Sequence, residues 1–376
     1  MYIYIYIYKK MFKWMFINYY NRQMLCINNI NDYKDKGLTG LCNIGNTCFI
    51  NSCLAILSHT YELNNFLDCN KFNRVLKKQT CDGILLKEWN ELRKLIWNEN
   101  STIAPNKFVS IIHAVAKKKN MDIFTDYSQN DIMEFFVFLI DCFHTAISRE
   151  IKMDITGTVE NDTDKLATKC FEKIKAMYTK DYSEIWNMFS GIQVTQIKSL
   201  EDNKLLNAIP EPFFSISLSM PPNNKSPTLY DCFDLFVEEE LLEKDNAWFN
   251  EDTKQKENVN KSTKFWSFPN ILAIDFKRFT NNNIKKQIKI SFPIDNLDLS
   301  KYVIGYQDSS YVYELYAVSN HHGNVLGGHY TAYIKNANGK WYLFNDTIVK
   351  EVKNVDEIVS PRAYGVFYRK VSTTGL

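Results

Sequence analysis

Apolar residues recur at helical spacing through Phe49-Ile-Asn-Ser-Cys-Leu-Ala-Ile-Leu-Ser58, which predicts a helix with Asn46 or Thr47 placed to cap it. The same spacing predicts helices over about Gly83–Trp97, Asn106–Lys117 and, most strongly, Asn130–His144, while Glu160–Ser190 reads as mixed and partly helical. Beyond Phe189 the period changes to that of strands. Phe213–Met220 alternates apolar and polar residues until Pro221-Pro222 ends it, and Ile271–Phe276, Tyr311–Ser319, Tyr330–Ile334, Trp341–Phe344 and Ala363–Arg369 read as strands of a sheet. Between Glu238 and Lys264 the chain is acidic, then polar, as expected of a solvated loop or tip. No internal repeat is visible. A helical first half and a sheet-rich second half predict an α+β architecture with a cleft between two lobes.

The start of the chain stands apart. Tyr and Ile alternate strictly over Tyr2–Tyr8, then Lys9, Lys10 and Lys13 interrupt the apolar run. The run is too broken for a membrane-spanning helix, and it lacks the charged start and small-residue cleavage site of a secretion signal. Two readings stay open for this stretch: a disordered or loosely docked extension, or an interfacial or strand-adding segment. Contact of this segment with a membrane has no other support in the sequence, and residues 1–36 are expected to form an extension of unassigned role.

Composition adds exclusions rather than chemistry. Hydrophobic residues at 45% and charged residues at 23% describe an ordinary globular protein, and a net charge of +2 gives no basic surplus for nucleic acid. The nine cysteines include no Cys-x-x-Cys pair, and none lies beyond Cys232. That usage predicts a reducing intracellular compartment, cytoplasm or nucleus, with most thiols serving as small buried hydrophobes.

One thiol has a different setting. Gly37-Leu-Thr-Gly-Leu-Cys-Asn-Ile-Gly-Asn-Thr-Cys48 is a turn-rich approach that delivers Cys48 to the N-terminus of the first predicted helix. Aligned N–H groups there favour a thiolate; a plain buried helix cysteine is the commoner case. Among the six histidines, His59, His113 and His144 sit in or beside helical runs and read as surface or packing residues. His329 follows Gly327-Gly328 and opens a strand, whereas His321 and His322 fall in what reads as a mobile loop before it. Asn345 and Asp346 end the next strand and would lie beside His329 if the two strands pair, where an amide or carboxylate could orient the imidazole. A polar turn explains the same two residues.

Taken together and in order, these segments resemble the ubiquitin-specific proteases. Gly40-Leu-Cys-Asn-Ile-Gly-Asn-Thr-Cys-Phe-Ile-Asn-Ser52 is similar to their cysteine box, and Gly327-Gly-His-Tyr-Thr-Ala-Tyr333 with Trp341–Asp346 and Ala363–Tyr368 to their histidine box. Tyr127-Ser-Gln-Asn-Asp-Ile-Met-Glu-Phe135 is similar to their glutamine–aspartate helix, and Glu211–Phe213, Phe268–Leu272, Phe276–Phe279 and Ser291–Pro293 match further blocks. The likeness runs over about Gly37–Arg369. It implies a papain-like catalytic domain over 37–376, with a helical thumb at about 37–185, β fingers within about 186–268 and an antiparallel β palm mostly at 269–370.

The resemblance further implies a thiol-dependent deubiquitinase that needs no metal or cofactor, acts on ubiquitin and ubiquitinated proteins, and works as a monomer. Cys48 would be the nucleophile, His329 the general base and acid, Asn345 the third triad member with Asp346 able to share that role, and Asn43 the oxyanion donor. Asp131 and Glu134, expected on one face of the helix from Asn130, would meet the arginines of the substrate tail Leu-Arg-Leu-Arg-Gly-Gly, with Gln129 beside them and Tyr330 walling the channel. For Asp131, an acid favoured by the dipole at the helix N-terminus is the competing reading. Gln129-Asn130 stands where many relatives have two glutamines. The chain also departs from many relatives at Ser199–Asp202 and Asn250–Thr253, where paired cysteines would bind zinc. Neither place offers a thiolate, so zinc-free fingers are expected and their grip on ubiquitin's body is in question. Two rival readings are a catalytically weak or inactive ubiquitin-binding module and a protease for another ubiquitin-like modifier.

Overall fold

The structure, a computed structural model, describes residues 30–222, 224–280, 282, 284–306, 310–324 and 327–371, together with the backbone of residues 2–7. The helical half opens with α1 (Cys48–Ser58), every residue of which is buried. A helix apolar on nearly all sides must sit inside the protein, and α1 lies between a second apolar helix and the sheet. Leu54, Ile56 and Leu57 are wholly buried, each contributing about 2 kcal/mol on the usual area scale. Thr80 accepts from the Gly83 amide to start α2 (Cys81–Asn98), and α3 spans Asn106–Lys118. The strongest predicted helix begins two residues later than its periodicity suggested, as α4 (Ile132–Ile147), because Asp131 is the cap that accepts from the amides of Met133 and Glu134. The mixed stretch resolves into α5 (Asp162–Asp181), closed by an Asn161–Asp164 capping box, and a short helix at Glu184–Phe189.

Four strands make the fingers: β1 (Gly191–Ser199), β2 (Leu205–Phe213), then β4 (Glu240–Leu242) and β5 (Val259–Ser267), in the order β2-β1-β5-β4. The loop alternative for Glu238–Lys264 is therefore wrong. That stretch holds β4, a hairpin of Trp248–Asn250 with Gln255–Glu257, and most of β5. Its polarity misled because this sheet is wetted on much of its area; along β5, full burial is confined to Val259, Ser262, Phe265 and Trp266. The strand expected over Phe213–Met220 breaks after Phe213, where β2 leaves the fingers, and β3 (Ser215–Leu218) enters the palm.

The palm comprises β3, β6 (Ile271–Phe276), β7 (Val312–Gly323), β8 (Gly328–Lys335), β9 (Trp341–Asn345), β10 (Ile348–Val352) and β11 (Ala363–Lys370). Their order is β10-β9-β8-β7-β11-β6-β3, antiparallel except for the β6–β3 pair. His321 and His322 belong to β7, not to a mobile loop, because β7 continues in register with β8 to Gly323. The lobes are riveted by Arg369 of β11, which donates to Glu62 at 2.6 Å and to the His59 carbonyl at 3.0 Å while lying 4.7 Å over the rings of both Tyr61 and Tyr316.

The backbone of Tyr2–Ile7 forms a strand parallel to Lys152–Gly157, the strand-adding alternative for this stretch; Tyr8, Lys9, Lys10 and Lys13 lie outside the described residues. Among the described residues no helix is long and apolar enough to cross a membrane.

The turns at the finger tips do not fit zinc. In one, Ser199 Oγ accepts from the Glu201 amide and Asp202 Oδ1 from the Lys204 amide. In the other, Glu257 Oε1 accepts from Asn250 Nδ2 at 2.9 Å and from Thr253 Oγ1 at 2.6 Å. Hydroxyl, amide and carboxylate already spent on one another leave no soft tetrahedral donor set.

Candidate active site

Cys48 is the first residue of α1 and is 2% exposed. Thr47 occupies the cap position without capping: its hydroxyl accepts instead from the Ile44 amide at 3.0 Å. Asn46 does not cap either. It adopts a left-handed φ of 52° and sends Nδ2 to the Tyr127 carbonyl at 3.1 Å. The expectation that the helix start favours a thiolate meets an opposing effect here. Burial raises the Cys48 pKa and the Asp346 charge raises it further, while hydrogen bonding with the backbone of Tyr330, Phe49 and Cys48 itself pulls it down without winning. The resting sulfur is a thiol that needs a base.

The palm carries a histidine able to act as one. β8 and β9 pair antiparallel, and His329 Nε2 meets Asn345 Oδ1 at 2.7 Å. A carbonyl oxygen can only accept, so Nε2 carries the proton and Nδ1 keeps its lone pair. Asp346, next in sequence, has other partners. It takes a left-handed φ of 49° and accepts from Asn43 Nδ2 at 3.1 Å and Asn51 Nδ2 at 2.8 Å, and its carbonyl accepts from the Leu41 amide at 2.9 Å. Close approach of the two segments requires Gly40, where a β-carbon would sit 2.3 Å from the Thr347 carbonyl oxygen.

Asn43 has a fixed orientation. Its Oδ1 accepts from the amides of Gly45 at 3.2 Å and Thr47 at 3.1 Å, which assigns the amide unambiguously. One Nδ2 hydrogen goes to Asp346, leaving the other for a ligand oxygen. The sequence offers Asn51 only as one residue of the cysteine-box segment; its buried amide also holds the Leu41 and Cys42 carbonyls.

The residues assigned to the substrate tail are less uniform than expected. Asp131 does not project from the helix with Glu134: as the cap, it spends Oδ1 on two amides, and its Oδ2 accepts from the Tyr364 hydroxyl. Glu134 is exposed in the first turn, has no ion-pair partner among the described residues, and is held above the ordinary carboxylate range by partial burial and by Asp131. Gln129 clasps the backbone of Gly328, donating to its carbonyl at 2.9 Å and accepting from its amide at 2.8 Å. Tyr330 is buried against His321 at 4.7 Å between ring centroids. His59 and His144 are buried packing residues, with Nδ1 near the Ala55 carbonyl and Ser183 Oγ respectively.

A buried thiol at a helix start in one lobe, hydrogen-bonded with the backbone of Tyr330, the residue after His329 on the palm sheet, places the molecule among the papain-like cysteine peptidases. More narrowly, the chain belongs to the ubiquitin carboxyl-terminal hydrolase family, whose model matches residues 39–368. It is 34% identical over 345 residues to the ubiquitin carboxyl-terminal hydrolase Usp2 of Drosophila melanogaster, covering 90% of this chain and 35% of that protein. To ubiquitin carboxyl-terminal hydrolase 2 of Gallus gallus it is 33% identical, covering 90% and 94% of the two chains. The first relatives are longer, and the chain spans 35% of the fly protein and 57% of the bovine and human ones. Among solved structures, the SAGA Ubp8/Sgf11/Sus1/Sgf73 DUB module bound to ubiquitin aldehyde shares the fold, with a TM-score of 0.70 at 21% identity over 96% of this chain and 76% of that one.

Proposed function

We propose that the chain is a deubiquitinase, hydrolysing the peptide or isopeptide bond that follows the last glycine of ubiquitin. The observation that carries this reading is the His329–Asn345 bond, which leaves an unprotonated Nδ1 on a strand whose next residue, Tyr330, hydrogen-bonds Cys48 through its backbone. Membership of the ubiquitin carboxyl-terminal hydrolase family supports the choice of substrate.

Catalysis then follows from the groups present. His329 Nδ1 takes the Cys48 proton as the sulfur attacks the glycine carbonyl carbon. The free Asn43 Nδ2 hydrogen and the first-turn amides of α1 receive the oxyanion. The carbon–nitrogen bond breaks as His329 returns the proton to the lysine amine, leaving a thioester on Cys48. Water then attacks the thioester, giving a proton to His329, which passes it to the departing thiolate. Glu134 offers an unpaired carboxylate to an arginine of the tail, and Asp131 holds the helix that presents it.

The direct test is turnover of ubiquitin carrying a fluorogenic amide at its C-terminus. Release by the wild type, abolished in Cys48→Ala and His329→Ala, is the expected result. No release by the wild type above the rate of Cys48→Ala would overturn the reading.

A further inference from the structure

Behind His329 lies a pair of polar residues with no part in the chemistry above. On β7 and β8, His321 stands opposite Tyr330 and His322 opposite His329. His321 is 5% exposed, and its ring packs against Gly328, the residue just before the base. A β-carbon on Gly328 would lie 2.2 Å from His321 Nε2 and 2.6 Å from the His322 carbonyl oxygen, so the glycine fits closely against that ring.

The ring is held from its other side by Lys285. Lys285 Nζ lies 2.9 Å from His321 Nδ1 and 2.6 Å from the His321 carbonyl oxygen. An ammonium has only protons to give, so Nδ1 accepts and the ring's own proton sits on Nε2, towards Gly328. Burial first, and then the charges of Lys285 and His322, lower His321 to about 4, which keeps the ring neutral at pH 7. Burial, helped by Arg278 and Arg362, lowers Lys285 to about 8, which leaves it mostly charged there. Gln129 clasps the backbone of the same glycine. The peptide that leads into His329 is thus fixed by two independent supports, one from the helical lobe and one from within the palm.

We propose that Lys285 is a positioning residue for the reaction: by pinning the His321 ring against Gly328 it sets the start of β8, and with it the His329 imidazole. Gly328 and His329 are consecutive, so a displaced Gly328 peptide swings the imidazole away from Asn345 and Cys48 together. This rests on reading His329 as the base for Cys48. It does not rest on ubiquitin being the substrate.

The test reads the Cys48–His329 pairing without substrate. Alkylation of Cys48 by iodoacetamide, followed site by site by mass spectrometry from pH 5 to 10, is measured for the wild type, His329→Ala and Lys285→Met. The expected result is a Lys285→Met rate at pH 7 about ten-fold below wild type, with a profile approaching that of His329→Ala and a thermal midpoint near wild type. In ubiquitin hydrolysis the same variant should lose kcat by about ten-fold with KM within about two-fold. A folded Lys285→Met with the wild-type rate and profile overturns the proposal. Should that variant not fold, His321→Asn replaces it: its side-chain oxygen can still accept from Lys285, but the ring wall against Gly328 is gone. The same slowing is expected; an unchanged rate, or failure of both variants to fold, would mark the pair as plain scaffolding. A wild type whose alkylation depends on His329 but which hydrolyses no ubiquitin would instead sink the substrate assignment and leave the role of Lys285 standing.

Discussion

Asn345 Oδ1 lies 2.7 Å from His329 Nε2, and that bond decides which imidazole nitrogen can work. With Nε2 committed as donor, Nδ1 is the nitrogen left for the proposed base. Replacing Asn345 by Ala releases the tautomer and the ring orientation together, and kcat should fall roughly 10²–10⁴-fold with little change in KM. Asn345→Asp keeps an acceptor in place and should stay within about ten-fold of wild type. Steady-state kinetics on a ubiquitin amide check both, and an Ala variant near wild type would reassign the third position.

Asp346 has a separate job that the same assay resolves. Its carboxylate joins Asn43, the proposed oxyanion donor, to the buried amide of Asn51. Asp346→Ala should lower kcat about 10²-fold by freeing the Asn43 amide. Unlike Asn345→Ala, it should also cost about 1–3 kcal/mol in chemical denaturation, because Asn51 loses an acceptor inside the protein. Full stability with lost activity would instead point to a direct part in orienting His329.

Asp131 and Glu134 should separate cleanly. As the cap of α4, Asp131 supports the fold, and Asp131→Ala should destabilise by about 1 kcal/mol. Glu134→Ala should leave stability within about 0.5 kcal/mol, as surface changes usually do. It should raise KM for ubiquitin about ten-fold, the size expected for one charge-assisted contact. An unchanged KM would remove Glu134 from the substrate site.

His59 gives the fold a pH dependence of known sign. It is wholly buried, and that burial, aided by the Arg369 charge, depresses it from 6.5 to about 4. A depressed histidine binds its proton more readily in the unfolded chain. Its contribution to stability is therefore complete above about pH 6.5 and is lost as pH falls towards 4. His59→Asn, which can still donate to the Ala55 carbonyl, should lower the thermal midpoint at pH 7 yet flatten its decline between pH 6.5 and 4. A decline as steep as that of the wild type would assign the acid sensitivity elsewhere.

The sequence disclosed what local chemistry controls and hid what tertiary packing decides. The helices were legible because their apolar spacing is written within a few residues; the caps were not, since neither Asn46 nor Thr47 caps α1, and Thr80 and Asn161 emerge as caps only in the fold. The palm strands were legible for the same reason, since Ile271–Phe276 is buried throughout. The finger strands were not, because both faces meet water over much of their length and alternation fades. At the site, the motifs brought Cys48, His329, Asn345 and Asn43 into view together, but they left Asn345 and Asp346 interchangeable. Separating them takes the left-handed turn at Asp346, a conformation that an Asn-Asp pair permits without announcing. Gln129 was visible as a motif residue, but its partner Gly328 is 199 positions away, and only the folded chain joins them.

The central claim, that Cys48 is a nucleophile aimed at the carbonyl end of ubiquitin, is tested most directly with ubiquitin bearing an electrophile in place of its last glycine. Intact mass and peptide mapping should show one ubiquitin joined to the wild-type chain through Cys48, with no adduct on Cys48→Ala and a much slower one on His329→Ala. No adduct on the wild type, or equal labelling of Cys48→Ala through another of the cysteines, would contradict the account.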